Sequence, residues 1–64
     1  MMGDKEIMKW YRKGWKDEST GSSSILPNDR PDINLCYSIG ALDCISGNGV
    51  PSNEEIIKDI KEKL

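Results

Sequence analysis

Residues 4–17 place apolar and basic side chains on opposite sides of a predicted α-helix. Positions that recur with a period of 3.6 residues share one side of a helix. The apolar side consists of Ile7, Met8, Trp10, Tyr11, Gly14 and Trp15. The opposite side is a basic stripe that consists of Lys5, Lys9, Arg12 and Lys16. The pattern predicts an amphipathic helix over residues 4–17, with the Asp4 carboxylate as its N-cap.

Residues 18–30 lose this periodicity and are rich in Ser, Gly, Asn, Asp and Pro, which is typical of a loop. Ile25 and Leu26 interrupt the polar run. An apolar pair inside a loop indicates a point at which the loop is pinned to the core. Contact between this pair and a partner protein is the alternative.

A second helix is predicted from Pro31 to residue 46, because proline is favoured at the first helical position and Gly47 can end a helix in a left-handed conformation. Its apolar residues form two ridges roughly 160° apart. One ridge consists of Leu35, Ile39 and Leu42, and the other consists of Ile33, Tyr37, Gly40 and Cys44. A helix that is apolar on two sides is expected to pack against other protein surfaces on both of them. We therefore expect one ridge to pack within the chain and the Leu35, Ile39 and Leu42 ridge to contact a second subunit or a target protein.

A third helix is predicted over residues 53–64, opened by a capping box that runs from Ser52 to Glu55. Its apolar stripe consists of Ile56, Ile57, Ile60 and Leu64. The sequence therefore predicts one all-α domain over residues 1–64, a small three-helix arrangement with a long Ser/Gly-rich loop between helices 1 and 2.

A Y-x-x-G-x-x-D motif occurs once in each of the first two predicted helices. Its first copy is Tyr11, Gly14 and Asp17, and its second is Tyr37, Gly40 and Asp43. On a helix the three positions lie along one side, so each copy sets an aromatic ring beside bare backbone. A glycine inside a helix costs roughly 1 kcal/mol relative to alanine, so two at matched positions indicate close helix packing. We expect each aspartate to cap or hydrogen-bond a neighbouring turn.

The composition argues against enzymatic chemistry and against a metal or cofactor site. The chain has no histidine, which excludes Ser-His and Cys-His nucleophilic sites, and it has no C-x-x-C pair to begin a zinc site. Cys36 and Cys44 lie about 12 Å apart along the predicted helix, beyond the roughly 7 Å limit for a disulfide. A 64-residue chain has a marginal core, so we expect homo-oligomerisation to support it.

The N-terminal segment is charged and is followed by no apolar run, so we expect neither a signal peptide nor a membrane span, and a cytoplasmic location. The net charge is −2, yet residues 1–17 carry five of the nine basic side chains. The basic stripe is either a solvated face or an electrostatic docking surface. Trp15 is the aromatic residue that we expect to be partly exposed at an interface, although core packing is the default role for both tryptophans.

Residues 11–17, 37–48 and 51–57 resemble the Y-x-x-G-[WY]-x-D helices of small phage-encoded accessory proteins. More distantly they are similar to the paired helices of ribosome modulation factor, although this chain lacks that protein's strongly basic composition and its Cys-Pro-Tyr segment. The phage resemblance implies a small cytosolic protein that is not an enzyme and that binds a larger host protein to modulate or inhibit it.

Three functions therefore stay open at the level of the sequence. The first is a protein-binding module that forms a homo-oligomer. The second is nucleic-acid or ribosome binding through the basic stripe, with aromatic help from Trp10 or Trp15. The third is a small-ligand sponge with a pocket between subunits.

Overall fold

The computed structural model describes residues 2–27, 29–47 and 49–64, and within these ranges it contains three helices and no strand. The helices are α1 (Asp4–Thr20), α2 (Pro31–Ser46) and α3 (Asn53–Lys63). The predicted all-α, three-helix arrangement with a loop between the first two helices is confirmed. Asn28, in the predicted loop, lies outside the described residues.

The two ends of α1 differ from the prediction. Its N-cap is Gly3 with no side-chain hydrogen bond, so Asp4 lies in the first turn and instead forms an ion pair with Lys61 at 2.7 Å. At the other end α1 continues three residues past position 17, because its last turn is closed locally. The Thr20 hydroxyl donates to the Lys16 carbonyl at 3.0 Å, and Gly21 adopts a left-handed conformation with φ of 73°.

The remaining helix ends follow the local signals in the sequence. Pro31 is the first residue of α2, and Gly47 ends the helix with φ of 73°. Ser52 is the N-cap of α3, where its hydroxyl oxygen accepts a hydrogen bond from the Glu55 N–H at 3.4 Å.

The N-terminal ends of α1 and α2 lie on the same side of the domain. The Cys36 thiol lies 3.7 Å from the Met2 sulfur, and the Arg30 guanidinium bridges Glu6 at 3.0 Å and Asp32 at 3.1 Å. The connection over residues 21–30 must therefore return along the length of α1 before α2 begins. A fully extended chain of that length reaches roughly 33 Å, which is ample.

The core joins the inner sides of all three helices. Its buried residues are Met2, Ile7, Tyr11, Ile33, Cys36, Ile56 and Ile60. In α3 the predicted stripe is buried at Ile56 and Ile60, whereas Leu64 is 56% exposed. None of the described helices is long and apolar enough to cross a lipid bilayer.

Candidate functional site

The helices α1 and α2 cross where the glycine of each motif copy meets backbone of the other copy. A Cβ atom at Gly14 would overlap the Tyr37 carbonyl, 2.8 Å from its carbon. A Cβ atom at Gly40 would overlap the Tyr11 carbonyl and lie 3.1 Å from the Trp15 backbone nitrogen. Only glycine fits at either position, because the atoms in the way belong to the backbone.

The tyrosines and aspartates of the two copies pair across the same crossing. The Tyr11 hydroxyl donates to Asp43, and the Tyr37 hydroxyl donates to Asp17 at 2.7 Å. The expectation that each aspartate serves its own neighbouring turn is therefore wrong for Asp43. Asp17 accepts a second hydrogen bond from the Ser24 hydroxyl at 2.5 Å, so it joins α1, α2 and the connecting loop. The two copies exchange donors and acceptors with an approximate two-fold relation.

The titration behaviour of these groups follows from the same contacts. Burial, followed by the hydrogen bond to Asp43, raises the pKa of Tyr11 above its ordinary value. The hydrogen bonds from Ser24 and then Tyr37 lower the pKa of Asp17. Both shifts favour the protonation states in which tyrosine donates and aspartate accepts. The side chains of the motif therefore hold α1 against α2.

The side of α2 that points away from α1 forms the outer face of α2, which we define as Leu35, Ser38, Leu42 and Ile45. Leu42 is 62% exposed and Ile45 is 65% exposed, while Leu35 is half-buried. The helix carries two charged residues: Asp32, which pairs with Arg30, and Asp43, which accepts from Tyr11. The outer face of α2 is therefore uncharged, and Ser38 is its one polar residue.

The structure divides the predicted ridge of Leu35, Ile39 and Leu42. Ile39 packs against the core and lines a groove of about 400 Å³ between α2 and α3, because its position on the helix is turned toward α3. It therefore does not belong to the outer face of α2. Ile45 belongs there and was missed by sequence reasoning. The signal that identifies it is its spacing, three residues after Leu42 and seven after Ser38.

The loop before α2 presents another exposed apolar side chain beside this helix. Leu26 packs against the core, as predicted for a pinned loop, whereas its neighbour Ile25 is 100% exposed. The loop is attached on both sides of this residue. Ser24 is hydrogen-bonded to Asp17, and the Asn34 side-chain amide donates to the Pro27 carbonyl at 3.3 Å. Ile25 is thus fully exposed between two points at which the loop is attached to the helices.

The basic stripe lies on the exposed surface of α1. Among the described residues its members form no ion pair, whereas Arg30, Lys61 and Lys63 all do. Arg12 donates to the Asn53 side-chain oxygen at 3.5 Å, and the Lys9 ammonium lies 5.2 Å from the centre of the Trp10 ring. The Trp10 ring is therefore covered by a cation from its own helix.

Trp15 is half-buried, so it is partly exposed as expected, and its role at an interface stays a prediction. The side chain contacts the core, and its indole nitrogen is buried with no hydrogen-bond partner among the residues that the structure describes. A buried N–H of this kind costs about 1–3 kcal/mol when left unpaired. Its surroundings are a shallow groove lined by Tyr11, Arg12 and Val50.

The reactive groups of the described chain are poorly placed for chemistry. Cys36 and Cys44 are free thiols, and burial raises the pKa of Cys36 to about 11, which keeps that thiol protonated near neutral pH. Within residues 2–27, 29–47 and 49–64 no group of acidic residues and cysteines is arranged to hold a metal ion. Two surfaces of the described chain stand out, the outer face of α2 and the basic stripe.

Comparison with known proteins does not assign either surface. No protein-family model, no curated protein and no solved structure matches this chain.

Proposed function

We propose that this chain is a protein-binding module without enzymatic activity, and that it binds its partner through the outer face of α2. The observation that carries the proposal is an uncharged helix face on which Leu42 and Ile45 are each more than half exposed. A helix of a small domain normally keeps its outward positions charged or polar, so an apolar outward face is typical of a protein contact.

The energetics favour a protein partner with an apolar surface. Burial of the exposed parts of Leu42 and Ile45 would contribute about 1–2 kcal/mol each. No charged group has to lose its hydration when this face is covered, so little of that gain is offset by desolvation. The face also offers nothing that binds phosphate, which needs basic side chains or free N–H groups. The motif resemblance to phage accessory proteins leads us to propose a larger host protein as the target.

The test is quantitative capture of host proteins by three forms of the chain: wild type, Leu42→Asp and Leu64→Asp. Leu64 is the matched control, because it is the same residue type with a similar exposed fraction, 56%, at the C-cap of α3. We expect a protein recovered by wild type and by Leu64→Asp to be lost with Leu42→Asp. Equal recovery by all three forms would contradict the assignment of this face.

Nucleic-acid binding is the second candidate, and the observation that favours it is the basic stripe of α1, whose cations are exposed and form no ion pair with any residue that the structure describes. If each of the four side chains of the basic stripe contacts one phosphate of duplex DNA, the logarithm of the binding constant should fall with the logarithm of the salt concentration with a slope of about −3.6. Fluorescence anisotropy with duplex DNA and single-stranded RNA at low salt measures this. Lys9→Glu should weaken binding far more than Lys58→Glu, an exposed lysine of α3. A flat titration would remove this candidate.

A further inference from the structure

Four positions on the outer face of α2, three apolar and one serine, have a spacing that reads the same in both directions. Leu35, Ser38, Leu42 and Ile45 are separated by three, four and three residues. This is the a/d spacing of helices that pair side by side. When the helix is turned end over end about the level of residue 40, position 35 falls opposite position 45 and position 38 falls opposite position 42. The face is therefore complementary to itself in an antiparallel arrangement.

The distribution of charge separates this face from the other surfaces of the domain. In a two-fold symmetric contact the same patch is used on both subunits, so a face of one charge sign is opposed by itself. The basic stripe of α1 would bring lysines against lysines. The outward positions of α3 carry charged side chains that include Glu54, Lys58 and Glu62. The outer face of α2 meets a second copy with no like charges in contact.

We propose that the occupant of the outer face of α2 is a second copy of this chain, with the two α2 helices packed antiparallel about a two-fold axis. Leu35 then contacts Ile45 of the partner subunit, and Ser38 contacts Leu42 of the partner subunit. The assignment of this face as a binding surface is the proposed function, on which the present proposal rests. A larger target would then bind the dimer, or would compete with the second copy for the same face.

Two further features of the structure fit this arrangement. The small Ser38 side chain leaves room for the leucine opposite it, which is how large and small residues interdigitate between helices. Antiparallel packing also sets the helix dipoles in opposite directions, which is favourable.

Sedimentation equilibrium over a concentration series tests the dimer, with Leu42→Asp as the disrupting variant and Leu64→Asp as the control. We expect wild type and Leu64→Asp to dimerise, and Leu42→Asp to weaken the dimer by at least about a hundredfold, because two carboxylates would have to be desolvated in the contact with no cation to pair with. Circular dichroism checks that each variant keeps its helices. A wild type that stays monomeric at every concentration overturns this proposal.

The register is tested by a pair of double variants at positions 35 and 45. In L35K/I45E each lysine faces a glutamate of the partner subunit, whereas in L35K/I45K like charges face each other. We expect L35K/I45E to dimerise at least about tenfold more tightly than L35K/I45K, because like charges in close contact cost several kcal/mol. Equal dissociation constants would overturn the antiparallel register.

The outcomes separate this proposal from the proposed function. If wild type is monomeric but Leu42→Asp still loses a captured host protein, the face binds a different partner and only the dimer is overturned. If Leu42→Asp and wild type behave alike in both capture and sedimentation, both proposals fall.

Discussion

The two sides of α2 differ in the contacts that they make. On its inner side Gly40 meets Tyr11 and Tyr37 meets Gly14, and the two tyrosine hydroxyls donate hydrogen bonds to aspartates across the crossing. On its outer side Leu42 and Ile45 are apolar, exposed and covered by nothing within the described chain. The inner side specifies the fold through shape and hydrogen bonds. The outer side contributes little to the fold of one subunit, which leaves it free to evolve as a binding surface.

This difference predicts how substitutions on each side behave. Changes on the inner side should lower stability even when they are small, because the contacts there involve backbone. Changes on the outer side should alter association and leave the fold unchanged.

The largest effect is expected for Gly14→Ala or Gly40→Ala. Alanine is about 1 kcal/mol better than glycine in a helix, yet its Cβ would overlap a backbone carbonyl of the other helix. We expect either variant to lose about 3 kcal/mol of unfolding free energy, a large share of the total for a domain of this size. Urea unfolding followed by circular dichroism measures it. Gly3→Ala is the control, since a Cβ there meets nothing within 4 Å. A Gly40→Ala variant as stable as wild type would mean that the helices do not cross at this position.

Tyr11→Phe should have the next largest effect. Tyr11 is fully buried, and without its hydroxyl the Asp43 carboxylate loses the donor that it has from α1. Loss of a hydrogen bond to a charged group costs about 1.5–3 kcal/mol. Tyr37→Phe should cost less, because Tyr37 is half-buried and Asp17 keeps the hydrogen bond from Ser24. The two variants are compared in the same urea experiment, and the reverse order would contradict the geometry of the crossing.

Acid should weaken the same crossing. The pKa of Asp17 is lower in the folded chain than in the unfolded one, so the hydrogen bonds from Ser24 and Tyr37 add stability above the ordinary aspartate pKa of about 4. That contribution is lost as the pH falls through the folded pKa. The melting temperature of wild type should fall as the pH is lowered from neutral to acidic. In Asp17→Asn this fall should be smaller, because the Asp17 carboxylate no longer contributes to it. An unchanged slope in this variant would assign the decrease to other carboxylates.

The smallest effect on stability is expected for Leu42→Asp. Leu42 is more than half exposed, so its replacement should change the unfolding free energy of a single subunit by less than about 0.5 kcal/mol. The measurement is made at a concentration at which sedimentation shows monomer only, so that association does not contribute. A loss comparable to that of Gly40→Ala would show that the outer face of α2 belongs to the core.

Much of the fold could be predicted from the sequence because its signals are local. Pro31, Gly47 and Ser52 mark helix ends through their own backbone or side-chain chemistry. The last turn of α1 was missed because serine and threonine at positions 19 and 20 are typical of loops, whereas here their hydroxyls donate to the Lys16 carbonyl one turn earlier. Local composition does not distinguish these two uses.

The pairing of the motif copies could not be predicted, because it depends on how two distant helices are oriented. Tyr11 and Asp43 are 32 residues apart, and nothing in either helix alone sets its direction relative to the other. The outer face of α2 was predicted in part. The predicted ridge of Leu35, Ile39 and Leu42 identified two of its residues, but the placement of Ile39 against the core depends on where α3 packs.

The most direct test of the difference between the two sides of α2 is a concentration series of ¹H–¹⁵N correlation spectra of the wild-type chain. With increasing concentration, the signals of Leu35, Ser38, Leu42 and Ile45 should shift, while those of Tyr11 and Gly14 should stay in place. Shifts that map to the basic stripe of α1, or no shifts at all up to the highest concentration, would contradict self-association through the outer face of α2.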